Sequence, residues 1–285
     1  MLDYCMLYIV ATPIGNLMDL SQRAIEVLLN ADLIAAEDTR RAKILLSHYN
    51  ITTKTISLHE HNEQQVVNKL IALLQEGRTI ALISDAGTPL ISDPGYHLVK
   101  LAHLAKIPVS PIPGPSAVMA AISVSGLATD QFVFIGFLPA KLKQKQKILL
   151  DLIIETKTMI FFEAPNRLLD TINSMQQIFG VDRRITFCRE ITKKFETIKQ
   201  DNLANIYNFI MADQLQQTKG EIVLVVAGNK VDTKNNNIID ANAHKVLTCL
   251  LAELPLATAA SLTAKITGIA KNKLYDYGVS LNYLR

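Results

Sequence analysis

From residue 6 to residue 125 the chain alternates short apolar runs with amphipathic stretches, and that alternation leaves few architectures open. Met6-Leu-Tyr-Ile-Val-Ala11 reads as a strand, broken by Thr12-Pro-Ile-Gly-Asn16 and followed by a helical pattern opening near Asp19-Leu-Ser21, with Ser21 placed to cap. Leu33-Ile-Ala-Ala36 is a second strand, ended by Glu37-Asp-Thr-Arg-Arg41, with Ala42 to Tyr49 helical. Thr53 to Leu58 is extended, and Glu63 to Gln75 carries Val66, Val67, Leu70, Leu73 and Leu74 on one side, closed by Gly77. Thr79-Ile-Ala-Leu-Ile83 is apolar enough for a central strand covered on both faces. Gly95 to Lys106 is helical, Val109 to Ile112 extended, and Pro113-Gly-Pro-Ser116 opens a helix through Ser125. Strand–helix units in series predict a mostly parallel sheet.

After the turn Gly126-Leu-Ala-Thr-Asp130 a second series begins: strand Phe132 to Ile135, a lysine-rich helix, strand Met159 to Phe162, helix Arg167 to Phe179, and strands Ile185 to Cys188 and Glu221 to Ala227. Asn229 to Asn237 is polar and turn-rich, the composition of a linker. Beyond it Ala241 to Leu254, Thr258 to Thr267 and Lys271 to Tyr277 read as helices. The expected fold class is α/β, with two α/β domains at 1–122 and 123–230 and a small helical extension within 231–285. A chain of 285 residues is long enough for this.

The chemistry concentrates where strands end. In an open parallel sheet ligands bind at the carboxyl edge. There Ser84-Asp-Ala-Gly-Thr-Pro89 offers Asp85 and Thr88 to a ligand, while Gly87 allows close backbone approach. The first loop has Gly15 alone, without the three-glycine dinucleotide pattern, and the chain has no Gly-Lys-Ser/Thr loop. A cofactor without phosphates fits better. Asp85 and Asp93 make a weak cation site, and Asp93 reads more simply as the cap of a helix begun by Pro94. His59 and His61 lack a third ligand at metal spacing, so no metal site is expected.

Lys141, Lys143, Lys145 and Lys147 alternate along one segment, for which a solvated helix face is the simpler reading than a phosphate contact. Arg189-Glu-Ile-Thr-Lys-Lys-Phe-Glu196 follows a strand, and its mixed charge suits a polar substrate. A net charge of +3 is too small to argue nucleic-acid binding unaided. Cys5, Cys188 and Cys249 are odd in number and scattered, which argues against a disulfide framework and for a reducing cytoplasm. The start lacks the pattern of a signal peptide and no apolar run reaches the ~18 residues of a membrane span, so a soluble protein is expected.

Seven motifs in order carry a resemblance: Ala11-Thr-Pro-Ile-Gly-Asn-Leu17, Glu37-Asp-Thr-Arg40, His59-Glu-His-Asn-Glu63, Ser84-Asp-Ala-Gly-Thr-Pro89, Pro113-Gly-Pro-Ser-Ala117, Gly136-Phe-Leu-Pro139 and Arg189-Glu-Ile-Thr-Lys193. Across roughly 6 to 280 the chain resembles the tetrapyrrole methylase superfamily, and within it the branch that methylates a cytidine 2′-hydroxyl of small-subunit (16S) ribosomal RNA. The resemblance implies a class III methyltransferase, usually a homodimer, with S-adenosyl-L-methionine in a cleft between two α/β domains and small-subunit RNA or the 30S particle as partner, not a membrane.

By motif position it assigns Ile14, Ser84, Asp85, Gly87, Thr88, Ser116, Ala117 and Phe162 to the cofactor. Where tetrapyrrole enzymes carry Pro-Gly-Asp in the first loop, this chain has Ile14-Gly-Asn16, so no acidic role carries over. Drawing the proton from a ribose hydroxyl calls for a carboxylate, for which Glu190, Glu163 and Glu37 are the candidates, Glu190 foremost, with Arg189 and Arg40 to orient acids or anchor phosphate. An ion-pair network that only braces the site is the competing reading. Arg40, His61 and Lys193 are the expected substrate contacts, and Phe137, Phe162 and Phe195 are available for stacking, with core packing the plainer role. A tetrapyrrole or corrin methyltransferase, or a non-catalytic ribosome-assembly factor, are the alternatives.

Overall fold

Each apolar run of the first series becomes a strand because helices cover both of its faces. The computed structural model describes residues 6–59, 62–229, 239 and 241–282. The first ten elements are β1 (Leu7–Val10), α1 (Gln22–Asn30), β2 (Leu33–Ala36), α2 (Thr39–His48), β3 (Thr55–Ser57), α3 (Glu63–Gln75), β4 (Ile80–Ile83), α4 (Tyr96–Leu104), β5 (Val109–Ile112) and α5 (Ala117–Val124). They form a five-stranded sheet in the order β3-β2-β4-β1-β5, and β4 and β5 run parallel to β1, as β3 and β4 do to β2.

The alternation of side chains along a strand decides which core each residue joins. Ala81 and Ile83 pack with Ala24, Leu28, Leu45 and Leu46 from α1 and α2. Ile80 and Leu82 pack with Leu70, Leu74, Leu98 and Ala102 from α3 and α4. All four residues of β4 are buried, and Ile80, Leu82 and Ile83 each contribute about 1.5–3 kcal/mol. Since β1 and β2 lead into helices on one face and β4 into a helix on the other, the loops leaving them part at the carboxyl edge, where a parallel sheet receives its ligand.

The second series runs β6 (Phe132–Phe137), α6 (Leu142–Asp151), β7 (Thr158–Glu163), α7 (Leu168–Phe179), β8 (Arg184–Arg189), β9 (Thr197–Asn202), α8 (Leu203–Ala212), α9 (Gln214–Gln217) and β10 (Ile222–Val226), with the sheet order β6-β7-β10-β8-β9. The tail is α10 (Ala241–Leu251), α11 (Leu256–Thr267) and α12 (Lys271–Asn282), gathered around Ala243, Leu247, Ala259, Ala260, Ile269 and Leu274. Gly268 ends α11 in the left-handed conformation that favours glycine. Most of the expected linker, from 230 to 237, lies outside the described residues. No described helix is long and apolar enough to cross a membrane.

The chain divides into two units, with the break after Ser125, and the second unit's sequence range gives back Phe187–Lys199 and Gly220–Val223 to the first. Linear sequence gives no hint of that return. Two local expectations also change, at α2 and at Lys145, and one strand, β9, was not expected from the sequence. Helix α2 starts at Thr39 rather than Ala42, because the Asp38 carboxylate accepts the Arg40 backbone N–H at 2.8 Å and caps the turn. Strand β9, Thr-Ile-Lys-Gln-Asp-Asn, has no continuous apolar run because it sits at the sheet edge. Lys145 is not on a solvated face: it is 2 % exposed, and its Nζ donates to Thr171 Oγ1 at 2.8 Å.

Candidate active site

Three loops of the first unit meet at Gly87. The loop after β1 pairs with the loop after β4 through Thr12 N–H to Gly87 O at 2.8 Å and Gly87 N–H to Thr12 O at 2.9 Å. The buried Thr12 hydroxyl donates to Ser84 O at 3.3 Å. The turn after β5 joins when Thr88 Oγ1 donates to Pro115 O at 3.2 Å. Gly87 has φ +80°, and a Cβ there would stand 3.4 Å from Ile14 Cγ2 and 3.8 Å from Pro115 O, so a side chain would fill the space between the loops. Ile14, Ser84, Gly87 and Thr88 thus come together, with Asp85 beside Ser84. Ser116 is the N-cap of α5, its Oγ accepting from Met119 N–H, and Ala117 begins that helix.

An acidic edge adjoins this cradle. The neighbouring strands β2 and β4 exchange bonds at their ends: Asp85 N–H donates to Glu37 Oε2 at 3.2 Å, and Asp38 N–H to Asp85 Oδ1 at 3.1 Å. Arg41 pairs with Asp85 at 2.9 Å and Arg40 with Asp38 at 2.7 Å. The Arg40 hydrogen bonds hold the Asp38 carboxyl well below the usual carboxylate range. Asp93 does not cap a helix. Helix α4 starts after Gly95, and the buried Glu63 carboxylate caps it instead, accepting Gly95 and His97 N–H, each at 3.2 Å. Asp93 is left partly buried; burial first, then the charges of Glu37 and Asp85, push its carboxyl up to about 6, against an opposing effect of Ser84. Sequence alone assigns Asp93 to a helix cap because its proline neighbour imitates a helix start.

The turn between β8 and β9 belongs to the first unit and is held tightly. Lys193 Nζ donates to Glu190 Oε1 at 2.8 Å and Glu221 Oε2 at 3.0 Å, while Glu221 N–H donates to Glu190 Oε1 at 2.8 Å. Burial would raise the Glu190 carboxyl, but the Lys193 hydrogen bond, the Glu221 N–H and the charges of Lys193 and Arg189 keep it below its ordinary value. Arg189 is buried and spends its Nη2 on Phe195 O at 2.9 Å and Thr197 Oγ1 at 3.1 Å. Phe195 is not a core residue: it is 66 % exposed, with Lys194 Nζ 5.5 Å from its ring centre.

In the second unit Glu163 is buried, with Oε1 accepting Ala164 N–H at 2.7 Å and facing Arg167 Nη2 at 2.9 Å, and Oε2 accepting Thr171 Oγ1 at 2.5 Å. Those bonds occupy its lone pairs and brace the end of β7. Phe162 stacks edge-on with Phe134 at 4.9 Å and Phe137 at 5.5 Å. His61 lies outside the described residues. Among the described residues no group of three or more His, Cys, Asp and Glu could hold a metal.

Residues 6–207 match the family of Tetrapyrrole (Corrin/Porphyrin) Methylases, and 237–282 match the RsmI C-terminal HTH domain. Ribosomal RNA small subunit methyltransferase I of Haemophilus influenzae is 48% identical over 274 residues, covering 96% of both chains. Its Escherichia coli O157:H7 counterpart is 48% identical over 273 residues, covering 96% of this chain and 94% of that one. Among solved structures, uroporphyrin-III-C-methyltransferase from Thermus thermophilus superposes with a TM-score of 0.54 at 17% identity, over 78% of this chain and 94% of that one. Diphthine synthase gives 0.57 at 14%, over 78% and 90%. The chain belongs to the tetrapyrrole methylase family, within its ribosomal RNA small subunit methyltransferase I group.

Proposed function

We propose that this protein methylates the 2′-hydroxyl of a cytidine in small-subunit (16S) ribosomal RNA. The family uses S-adenosyl-L-methionine, whose sulfonium supplies an electrophilic methyl group. The cradle at Gly87 suits that molecule: backbone groups, the Ile14 wall and hydroxyls, without the glycine-and-lysine loop a polyphosphate would call for. The supporting observation is the near-full-length similarity to relatives carrying that rRNA methyltransferase name, tail included.

In this reading the residues position and deprotonate the hydroxyl. Holding two reactants in line supplies about 7–11 kcal/mol in favourable cases. Asp93 is the proton acceptor, because its carboxyl sits at the cradle beside Ser84 and titrates near the working pH, where a general base is most effective. Glu190 and Glu163 are less suited, since their oxygens already accept from Lys193 and Glu221, and from Thr171, Arg167 and Ala164. Arg40 takes substrate phosphate. The reading includes a cytoplasmic homodimer, checked by light scattering.

Tritium transfer from labelled cofactor to small-subunit RNA, with none to free uroporphyrinogen, is the expected result. Transfer to the porphyrinoid alone would favour a tetrapyrrole methyltransferase. RNA binding without any transfer would favour an assembly factor.

A further inference from the structure

Helix α2 and the segment leading into β3 enclose a groove of about 450 Å³ whose lining is cationic and hydroxylic: Arg40, Lys43 and Ser47 on the helix, Thr53 and Lys54 opposite, with Leu46 and Ile51 below. No carboxylate is among the lining residues. Arg40, Lys43 and Ser47 fall at i, i+3 and i+7, one face of a helix, so they stand in a row that climbs about 10 Å along its axis. Such a row follows a chain of phosphates rather than a single anion. Lys43 and Lys54 are exposed and form no ion pair among the described residues. Arg40 is tied to Asp38, its Nε donating to Oδ1 at 3.1 Å. Thr39, which also lines the groove, lies three residues past the end of β2, so a strand lying in it runs toward the carboxyl edge that holds Asp85.

We propose that this groove binds the sugar–phosphate backbone of the substrate RNA next to the target nucleotide. The inference rests on the rRNA reading above and adds to it a docking path. Phosphate contacts fix the register of a nucleic acid without reading its bases, and each makes binding salt-dependent. Lys43 and Lys54 are therefore positioning groups for the RNA, not catalytic ones.

The test is the full-length Lys43→Ala/Lys54→Ala variant, assayed for methyl transfer against RNA concentration at several salt concentrations, with cofactor affinity and thermal midpoint measured alongside. The expected result is a KM for RNA raised about tenfold, kcat and cofactor affinity within twofold of wild type, and a salt slope shallower by about 0.7 for each lysine removed. Lys43→Arg/Lys54→Arg should restore KM. Unchanged KM and salt slope, while wild type still methylates the RNA, would overturn the groove and leave the rRNA reading intact. Inorganic phosphate inhibition lost in the variant, with KM for RNA unchanged, would make it a small-anion site and also overturn the proposal. A wild-type protein that neither binds nor methylates the RNA would remove the reading and the groove with it.

Discussion

The stem of Lys193 lies directly over Gly15, so close that a Cβ on the glycine would stand 2.4 Å from Lys193 Cγ and 2.8 Å from its Cε. That contact presses the turn after β8 against the first loop and holds the Lys193 ammonium between Glu190 and Glu221. Gly15→Ala should dislodge the lysine and lower stability by about 1–3 kcal/mol. In a Lys193→Ala background, where the obstructing Cγ is gone, the same glycine change should have a much smaller effect. Denaturant unfolding of the four proteins measures that coupling.

Asp93 gives a pH signature. A general base works only when ionised, so with its carboxyl at about 6 the wild-type kcat/KM should rise with pH through that value and then level off. Asp93→Asn should lose about 10²–10⁴ in rate and the limb near pH 6 with it. Stability should move the other way. A carboxyl whose folded value lies above its unfolded one favours folding only while protonated, so its burden appears as pH rises from about 4 through 6. Thermal melts should find Asp93→Asn more stable than wild type at pH 8 and equal to it at pH 4.

Glu190 has the opposite sign. Its carboxyl is held below the ordinary value, so its stabilising effect is present above the unfolded value and lost as pH falls through the folded one. Glu190→Gln should lower the melting temperature at pH 7, converge with wild type in acid, and leave the kinetic limb near pH 6 in place. A Glu190→Gln enzyme lacking that limb would return the role of base to Glu190.

Lys145, Thr171 and Glu163 form a buried chain in the second unit. Removing one member leaves an unmatched polar group or charge inside, which costs about 3–5 kcal/mol where the group is ionic. Thr171→Val, which takes the Lys145 ammonium's hydroxyl partner away, should shift urea unfolding accordingly, and Lys145→Met, which leaves a neutral hydroxyl unmatched while Glu163 keeps Arg167, should do so by about 1–3 kcal/mol.

Much of the first unit was legible because β1, β2 and β4 are local apolar runs joined by helices with apolar stripes; Ile80 to Ile83, buried at every position, announces a central strand. What sequence hides is contact at a distance. Glu63 caps α4 from across 32 residues, which frees Asp93 for the edge of the sheet. Lys145 reads as one more surface lysine until Thr171 is found beside its Nζ. Of the candidate site, the loops around Gly87 could be read from their position after strands, whereas the bonds that occupy Glu190 and Glu163 depend on partners in other elements.

The central claim is the atom that receives the methyl group. Small-subunit RNA treated with the protein and labelled cofactor, digested to nucleosides and separated by mass spectrometry, should carry the label as 2′-O-methylcytidine, and alkaline hydrolysis of the same RNA should leave the label in a dinucleotide because the methylated 2′-oxygen cannot attack the neighbouring phosphodiester. Label on a cytosine base, on another nucleoside, or absent from RNA altogether would contradict the account.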